Sequence, residues 1–295
     1  SSYSFAQFIA APILGQLSDR YGRKPILILS KVGTITSYII LGSTASYGWL
    51  LASRLLDGFT GGNIAVARAY LSDITEEKNR SKAMAIIGIA FGTGFIIGPA
   101  IGGICYSIAN NFSIAGFVGA GLSLASLIIT QLFLIESKEK TKKSATNIIN
   151  NLSKISPPAM AILSVTLSSM IIFSGFETSF SIYTEQKFGF NESNNSLLFF
   201  IIGIAAFVIQ RSFTKISIQP INKAISIGLV CIGIGLIGTN IIAPLVPSLL
   251  MLTCLLFGMA ILNTHLPAEL STTTSNKGFI LGIYESIGSI ARIIG

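Results

Sequence analysis

Ten apolar stretches, each near the length that crosses a bilayer, constrain this sequence more than any other feature. A transmembrane helix needs about 20 predominantly apolar residues to cross the hydrocarbon core. The composition agrees, since 51% of the residues are hydrophobic and 11% are charged, against about 25% charged in a soluble domain. The predicted spans cover residues 3–18, 25–44, 48–71, 82–107, 112–135, 157–183, 196–213, 222–243, 247–267 and 278–295. The sequence therefore predicts an all-α, multi-pass integral membrane protein with about ten transmembrane helices.

Positive charges collect in alternate loops between these spans. Fifteen of the 20 Lys and Arg residues lie in one set of loops, whereas the intervening loops hold only Lys187. Basic loops stay on the cytoplasmic side, so the first set is predicted to face the cytoplasm. The net charge of +8 has this topogenic origin, and no basic surface interleaved with aromatic residues indicates a nucleic-acid partner. The fifteen are Arg20, Arg23, Lys24, Lys78, Arg80, Lys82, Lys138, Lys140, Lys142, Lys143, Lys154, Arg211, Lys215, Lys223 and Lys277.

A polar segment rich in lysine and asparagine, residues 136–156, divides the chain. It is predicted to be a cytoplasmic linker. The N-terminal helical bundle would then cover residues 1–135 and the C-terminal helical bundle residues 157–295.

The two halves also repeat. Leu71–Thr75 and Ala268–Thr272 each precede a polar turn and a glycine-rich span, about 196 residues apart. Related halves are typical of secondary transporters. The spans at 112–135 and 157–183 have no partner in this repeat, so we expect the chain to hold helices two to eleven of twelve.

Residues that commonly carry catalysis or bind metals are sparse. The three cysteines, Cys105, Cys231 and Cys254, lie in apolar runs without metal-ligand spacing. The one histidine, His265, is predicted to pack or to cap near the inner end of a span. Because no nucleophile–base pair, metal cluster or phosphate loop is found, we expect no enzyme activity, metal or cofactor.

Charged residues inside the predicted spans are candidates for function, because a charge is costly within a bilayer. Arg54 and Asp57 lie three residues apart in the span at 48–71, so they can partly neutralise each other. Arg68 follows on nearly the same face as Asp57. Two interpretations stay open: a self-paired structural charge, or a functional pair in which Arg54 tunes a protonatable acid or contacts substrate.

Two further acids lie within spans, Glu177 and Glu285. A carboxylate without a partner in a low-dielectric bundle can take up a proton. Glu285 has Arg292 seven residues later and hence on the same face. Each acid is either a proton carrier or a satisfied structural group, and Lys31 either snorkels or faces a cavity.

Two glycine-containing motifs stand out. The loop Gly15–Pro25 reads G-x-L-x-D-R-x-G-R-K-P; its glycines permit a tight bend and its cations hold that bend in the cytoplasm. The span at 82–107 contains G-x-x-x-G-P-x-x-G-G. Together with Gly88 and Gly92 before it, its small residues predict a smooth side for close helix contact, and its proline predicts a kink. The fixed positions of this second motif are Gly94, Gly98, Pro99, Gly102 and Gly103.

With the pattern R-x-x-x-G-x-T-G from Arg54 and A-Y-L-S-D-I-T from Ala69, these motifs resemble those of the major facilitator superfamily. They are most similar to the tetracycline-efflux branch of its drug–proton antiporters. The resemblance implies two six-helix halves and an inner gate in which Asp73 pairs with Arg23 and Asp19 caps a helix of the other half. The residues that it assigns to this gate and signature loop are Gly15, Asp19, Arg20, Gly22, Arg23 and Asp73.

The resemblance also implies a function. The expected activity is proton-coupled export of a small amphipathic molecule or drug, with that substrate, protons and the lipid bilayer as partners. We expect a monomer in the inner (cytoplasmic) membrane of a bacterium. Two alternatives stay open: a sugar or metabolite carrier, and an inactive membrane fragment of a decayed transporter gene.

Overall fold

A computed structural model describes residues 2–109, 113–137, 155–241, 244–274 and 276–295. These residues form eleven α-helices and one 3₁₀ turn, Glu77–Asn79, and contain no strand. The helices are α1 (Ser2–Tyr21), α2 (Arg23–Ser43), α3 (Tyr47–Thr60), α4 (Asn63–Ile74), α5 (Arg80–Ala109), α6 (Ser113–Phe133), α7 (Pro157–Phe188), α8 (Glu192–Phe213), α9 (Ile221–Ile241), α10 (Leu245–Leu270) and α11 (Lys277–Ile294). The predicted all-α fold class is confirmed.

Each of the ten predicted spans falls on helix. By length and composition alone, six helical segments within the described residues could cross a membrane. They are Arg23–Ser43, Glu77–Cys105, Ser113–Phe133, Pro157–Phe188, Ile221–Ile241 and Val246–Leu270. Of the other predicted spans, one is interrupted, and the span at 196–213 falls on a shorter apolar helix, Leu197–Phe213.

The interrupted span is the one at 48–71. Helix α3 ends at Thr60 and α4 begins at Asn63, with Gly61 and Gly62 forming a turn between them. Glycine weakens a helix interior, and here it also admits a neighbour, because a Cβ on Gly62 would lie 2.9 Å from the Cα of Ala11. The break therefore lets α1 pack against the backbone at the α3–α4 junction.

The described chain packs as two units. The first contains Ser1–Ile74, Ile101–Leu167 and Leu270–Ile293, and hence α1 to α4, α6 and nearly all of α11. The second contains Thr75–Ala100, Ser168–Glu269 and the last two residues. Because residues 138–154 lie outside the described part of the chain, the linker and the two sequential bundles stay predictions.

In the first unit, α1 and α11 pack backbone against backbone. A Cβ on Gly15 would collide with the carbonyl oxygen of Gly278, and one on Gly282 would lie 2.6 Å from that of Ala11. Further along the seam, the Ser286 hydroxyl donates to the Phe8 carbonyl oxygen at 2.5 Å. Small residues at the contact are what permit such an approach in a membrane protein.

We expect Gly15→Ala to destabilise the first unit by about 1–3 kcal/mol, the usual cost of overpacking. The new methyl group would meet the α11 backbone, which cannot rotate away as a side chain could. The measurement is thermal unfolding of the purified protein in detergent. Gly121→Ala is the matched control, because a Cβ there would meet no atom of the described residues within 4 Å; equal midpoints for the two variants would contradict the close contact.

In the second unit, glycines of α5 and α9 serve the same purpose. A Cβ on Gly92 would lie 3.1 Å from the Phe207 backbone in α8, and one on Gly235 would lie 2.7 Å from the Leu255 backbone nitrogen in α10. His265 is buried, and its Nε2 accepts a 2.9 Å hydrogen bond from the backbone N–H of Ile218. His265 thus packs inside this unit and caps the loop before α9 through the backbone N–H of Ile218.

The contact stripe predicted along α5 is in close contact over only part of its length, and the glycines of its G-x-x-x-G-P-x-x-G-G motif face open space in the described structure. A Cβ built on any of its four glycines, Gly94, Gly98, Gly102 or Gly103, would meet no atom within 4 Å in the described structure. The close contacts of α5 lie earlier in the helix, at Gly88 and Gly92. The side chain of Pro99 lies outside the described residues.

Candidate functional site

Arg23 is the centre of a buried ionic cluster at those ends of α1, α2 and α4 that the charge bias of the loops predicts to be cytoplasmic. Its side chain is fully buried and forms ion pairs with Asp19 at 2.9 Å and with Asp73 at 2.8 Å. Its Nη1 also donates to the Ser18 hydroxyl at 2.6 Å. One guanidinium thereby holds two negatively charged carboxylates together and offsets their mutual repulsion.

The same cluster binds the start of α11. Lys277 forms a 3.2 Å ion pair with Asp73. The Asp19 carboxylate accepts hydrogen bonds from the backbone N–H groups of Gly278 at 3.2 Å and Phe279 at 2.9 Å. A carboxylate at a helix N-terminus satisfies free N–H groups and complements the helix dipole. This inner cluster, Asp19, Arg23, Asp73 and Lys277, therefore ties α11 to α1, α2 and α4.

One member of the signature loop stands outside the inner cluster. Arg20 is exposed, and its guanidinium carbon lies 5.1 Å from the centre of the Tyr21 ring. Arg20 lies on α1, before the helix break at Gly22, and makes no ion pair with Asp19 or Asp73 among the described residues. The structure thus brings Asp19, Arg23 and Asp73 together and places Arg20 outside their cluster, while their role as a gate stays a prediction.

Sequence reasoning missed Glu136, the residue that holds the N-terminus of α2. Its carboxylate accepts hydrogen bonds from the backbone N–H groups of Arg23 at 2.8 Å and Lys24 at 3.0 Å. Gly22 precedes them with φ +99°, and a Cβ there would lie 2.5 Å from Glu136. Glycine is needed at this position both for the backbone angle and for the space. An acid 113 residues from Arg23 gives no local sequence signal.

A second polar group lies deeper, between α2 and α3. Asp57 is buried, and Arg54 Nη1 lies 3.5 Å from its Oδ2. This separation is longer than that of a usual N–H···O hydrogen bond, about 2.7–3.2 Å. The ring of Tyr38 lies 5.5 Å from the Arg54 guanidinium carbon, and Thr34 faces Thr60 at 3.4 Å between the hydroxyl oxygens. We call Thr34, Tyr38, Arg54, Asp57 and Thr60 the α2–α3 polar site.

The guanidinium of Arg54 is poorly satisfied. Its Nε and Nη2 are buried without a hydrogen-bond partner within the described residues, although 32% of the whole side chain is exposed. Leaving a buried donor unpaired costs about 1–3 kcal/mol. Arg54 therefore retains the capacity to donate to an acceptor on a ligand.

The structure pairs Arg68 and Glu285 differently from the same-face expectations. Arg68 does not join Asp57, and Glu285 does not join Arg292; instead Arg68 Nε donates to Glu285 Oε1 at 2.7 Å, from α4 to α11. Both side chains are at most 8% exposed. Glu285 is therefore an ion-paired acid in this structure, and whether it carries a proton stays a prediction. Helical periodicity reveals faces within one helix but not which helix each face meets.

The other predicted charges lie in separate surroundings. Arg292 donates to the Gln7 side-chain oxygen at 2.7 Å. Lys31 is half-buried in α2, on the face that carries Thr34 and Tyr38. Glu177 belongs to α7 in the second unit and is exposed, so it is not enclosed as an acid in a low-dielectric core would be.

Comparison with known proteins identifies the class. A model of the Major Facilitator Superfamily matches residues 1–295, and the chain belongs to that family. It is 31% identical over 307 residues to multidrug resistance protein 2 of Bacillus subtilis, covering 100% of this chain and 76% of that protein. It is also 37% identical over 145 residues to the class H tetracycline resistance protein of Pasteurella multocida, covering 49% of this chain and 36% of that protein.

A solved structure supports the same assignment. The chain superimposes on the crystal structure of the human organic anion transporter MFSD10 (TETRAN) with a TM-score of 0.89 and 25% identity, covering 99% of this chain and 74% of that one. The fold and family are those of membrane transporters, not enzymes. The resemblance noted in the signature loop is thereby confirmed at the level of the family.

Proposed function

We propose that this transporter exports a small amphipathic molecule across a bacterial cytoplasmic membrane in exchange for protons, acting as a monomer. Its relatives in Bacillus and Pasteurella, named for multidrug and tetracycline resistance, support export. Of the structural observations, the Arg54–Asp57 pair carries the proposal. A buried acid whose cationic neighbour is 3.5 Å away is held less firmly than one in a close ion pair, and it can exchange a proton.

The inner cluster supplies the second requirement of exchange, a face that closes. In the proposal, the bonds from Asp19 and Asp73 to α11 keep the cytoplasmic face shut, and they must break when that face opens. These buried ion pairs and helix-cap bonds can be remade, since water that enters as the face opens satisfies the same groups when they part. Arg54 is the proposed contact for substrate, and Asp57 is the proposed proton-binding acid.

The experiment that tests this function is uptake into inverted membrane vesicles that carry the full-length protein. An acid lumen is imposed, and tetracycline and ethidium serve as two probes of different charge. We expect accumulation that collapses when a protonophore removes the gradient. Accumulation that is unchanged by the protonophore, or absent for a panel of amphipathic probes, would contradict proton-driven export.

A second candidate is transport of an organic anion. It is favoured by the two unpaired donors of Arg54 and by the name of the structural relative, an organic anion transporter. Competition assays separate the candidates: indole-3-acetate and tryptamine share an aromatic group and differ in charge. Displacement of a bound probe by the anion alone would favour this second function.

A further inference from the structure

The break between α3 and α4 frees backbone carbonyl groups inside the protein. The last carbonyls of a helix have no partner within it, and the core of a bilayer offers no water to bind them. Side chains of two other helices fill this need. The Ser30 hydroxyl of α2 donates to the Thr60 carbonyl oxygen, and the Gln7 amide of α1 donates to that of Gly61 at 3.0 Å. Ser30 and Gln7 are each 1% exposed, so both are buried at the break.

The same Gln7 amide is bound to α11. Its side-chain oxygen accepts a hydrogen bond from Arg292 Nη2 at 2.7 Å and lies 3.2 Å from the Ser289 hydroxyl oxygen. Arg292 also donates to Ser289 at 3.1 Å. A glutamine side chain suits this place because it carries a donor and an acceptor in one planar group. One amide thus joins the α3–α4 break to α11, and all of these residues belong to the first unit.

The break adjoins the α2–α3 polar site. Asp57 and Thr60 lie in the last turn of α3, and the backbone N–H of Gly61 donates to the Asp57 carbonyl oxygen at 2.6 Å. This turn also packs closely on α1, since a Cβ on Gly58 would lie 2.7 Å from that of Ala6. A shift of the Gly61 carbonyl group therefore moves the turn that carries two members of the polar site.

We propose that Gln7 is a positioning residue that couples α11 to the α2–α3 polar site. While α11 is docked, Arg292 and Ser289 fix the orientation of the Gln7 amide. That orientation aims its N–H group at Gly61, so the last turn of α3 keeps its place. When α11 moves away, the amide is free to turn and the break loosens.

The coupling acts in both directions. By linkage, a ligand that biases the last turn of α3 biases the position of α11 to the same extent. The inference rests on the proposed function, which places the contacts for substrate and proton at Arg54 and Asp57. It assigns to Gln7 no contact with either, only the transmission of their state to α11.

The test is a double-mutant cycle read at the break, without substrate or gradient. Hydrogen exchange of the peptide that spans residues 57–64 is followed by mass spectrometry on the full-length protein in nanodiscs. Arg292→Met removes the α11 end of the contact, and Gln7→Met removes its centre with little change of volume. We expect Arg292→Met to raise exchange at the break at least about fivefold in the parent protein. In the Gln7→Met background it should raise exchange by less than about twofold.

Gln210→Met is the matched control. Gln210 is also a buried glutamine, and its Nε2 donates to the Thr264 hydroxyl at 2.7 Å in the second unit. Its replacement removes a comparable hydrogen bond at a distance from the break. We therefore expect Arg292→Met to raise exchange at the break in the Gln210→Met background as it does in the parent protein.

Gln7→Glu separates the two halves of the contact. A carboxylate still accepts from Arg292 but cannot donate to the Gly61 carbonyl oxygen. The break should then exchange as fast as in Gln7→Met, while the amides of α11 around Ser289 stay protected. If Gln7→Met fails to fold, the same cycle is measured in the Gln7→Glu background, where the expected factor is again less than about twofold.

Two results would overturn the proposal. One is a break that does not respond to Arg292→Met in the parent protein. The other is an equal response with and without Gln7, which would make the two residues independent structural contacts. Because the cycle uses no substrate, its result is separate from that of the uptake assay, whose failure would refute the proposed export alone.

Discussion

Replacing Asp57 with asparagine should leave substrate binding intact and abolish transport driven by a pH gradient. The substitution keeps the shape of the side chain but removes its proton-binding charge. Because Arg54 Nη1 lies 3.5 Å from the carboxylate, loss of that charge removes a weak partner rather than a tight one, so the fold should survive. Binding is measured on purified protein by displacement of a fluorescent probe, and transport is measured in inverted vesicles with an acid lumen.

Glu177→Gln is the matched control for this prediction. Glu177 is also an acid within a predicted span, but it is exposed, whereas Asp57 is buried. We expect Glu177→Gln to transport as the parent protein does. Full gradient-driven transport by Asp57→Asn would remove Asp57 from the mechanism. Loss of gradient-driven transport in Glu177→Gln alone would instead assign proton binding to Glu177 in α7.

Arg23→Gln should reduce transport at least about tenfold. The change leaves Asp19 and Asp73 without the guanidinium that pairs with both at 2.9 and 2.8 Å. Removing one partner from a buried ion pair costs about 3–5 kcal/mol, and here the cost falls on the closed cytoplasmic face. Transport rates in vesicles and labelling of the α11 N-terminus by a water-soluble reagent measure the two effects.

Arg20→Gln provides the comparison for Arg23. Both arginines belong to the same signature loop, but Arg20 is exposed and lies outside the inner cluster, whereas Arg23 is buried. Its replacement should change transport little. If the two variants lost activity equally, the importance of the loop would lie in its overall charge rather than in the cluster.

The positions of the helices were predictable from the sequence because apolar runs of this length form membrane-spanning helices. All ten predicted spans fall on helix, since the length of a span is fixed by bilayer thickness. The break at Gly61 and Gly62 was not predictable in the same way. Two adjacent glycines weaken a helix, but whether it yields depends on the neighbour, here the α1 backbone near Ala11.

The contacts of the candidate site were likewise predictable only in part. Motif resemblance placed Asp19, Arg23 and Asp73 together, and the structure does so too, although their role as a gate stays a prediction. Contacts between distant helices were inaccessible: Arg68 meets Glu285, 217 residues away. Helical periodicity assigned each of these residues to a face of its own helix, and the prediction paired it with a charge on that same helix. The true partner lies on another helix, and tertiary packing decides which one.

The glycine stripe predicted on α5 is in close contact over only part of its length. Its spacing is typical of helix contact, yet the close contacts are made by Gly88 and Gly92, before the motif begins. Small residues permit an approach but do not cause one. Whether a neighbour takes up the space is decided by the rest of the bundle.

Proton movement that accompanies substrate movement tests the central claim most directly. Inverted vesicles carrying the full-length protein are loaded with a pH-sensitive dye and acidified, and the substrate identified by the uptake assay is then added outside. Exchange predicts that protons leave the lumen as substrate enters, and that Asp57→Asn vesicles show no such release. Substrate accumulation with an unchanged lumenal pH, or proton release that is as large in Asp57→Asn, would contradict a proton-exchanging transporter built around this buried acid.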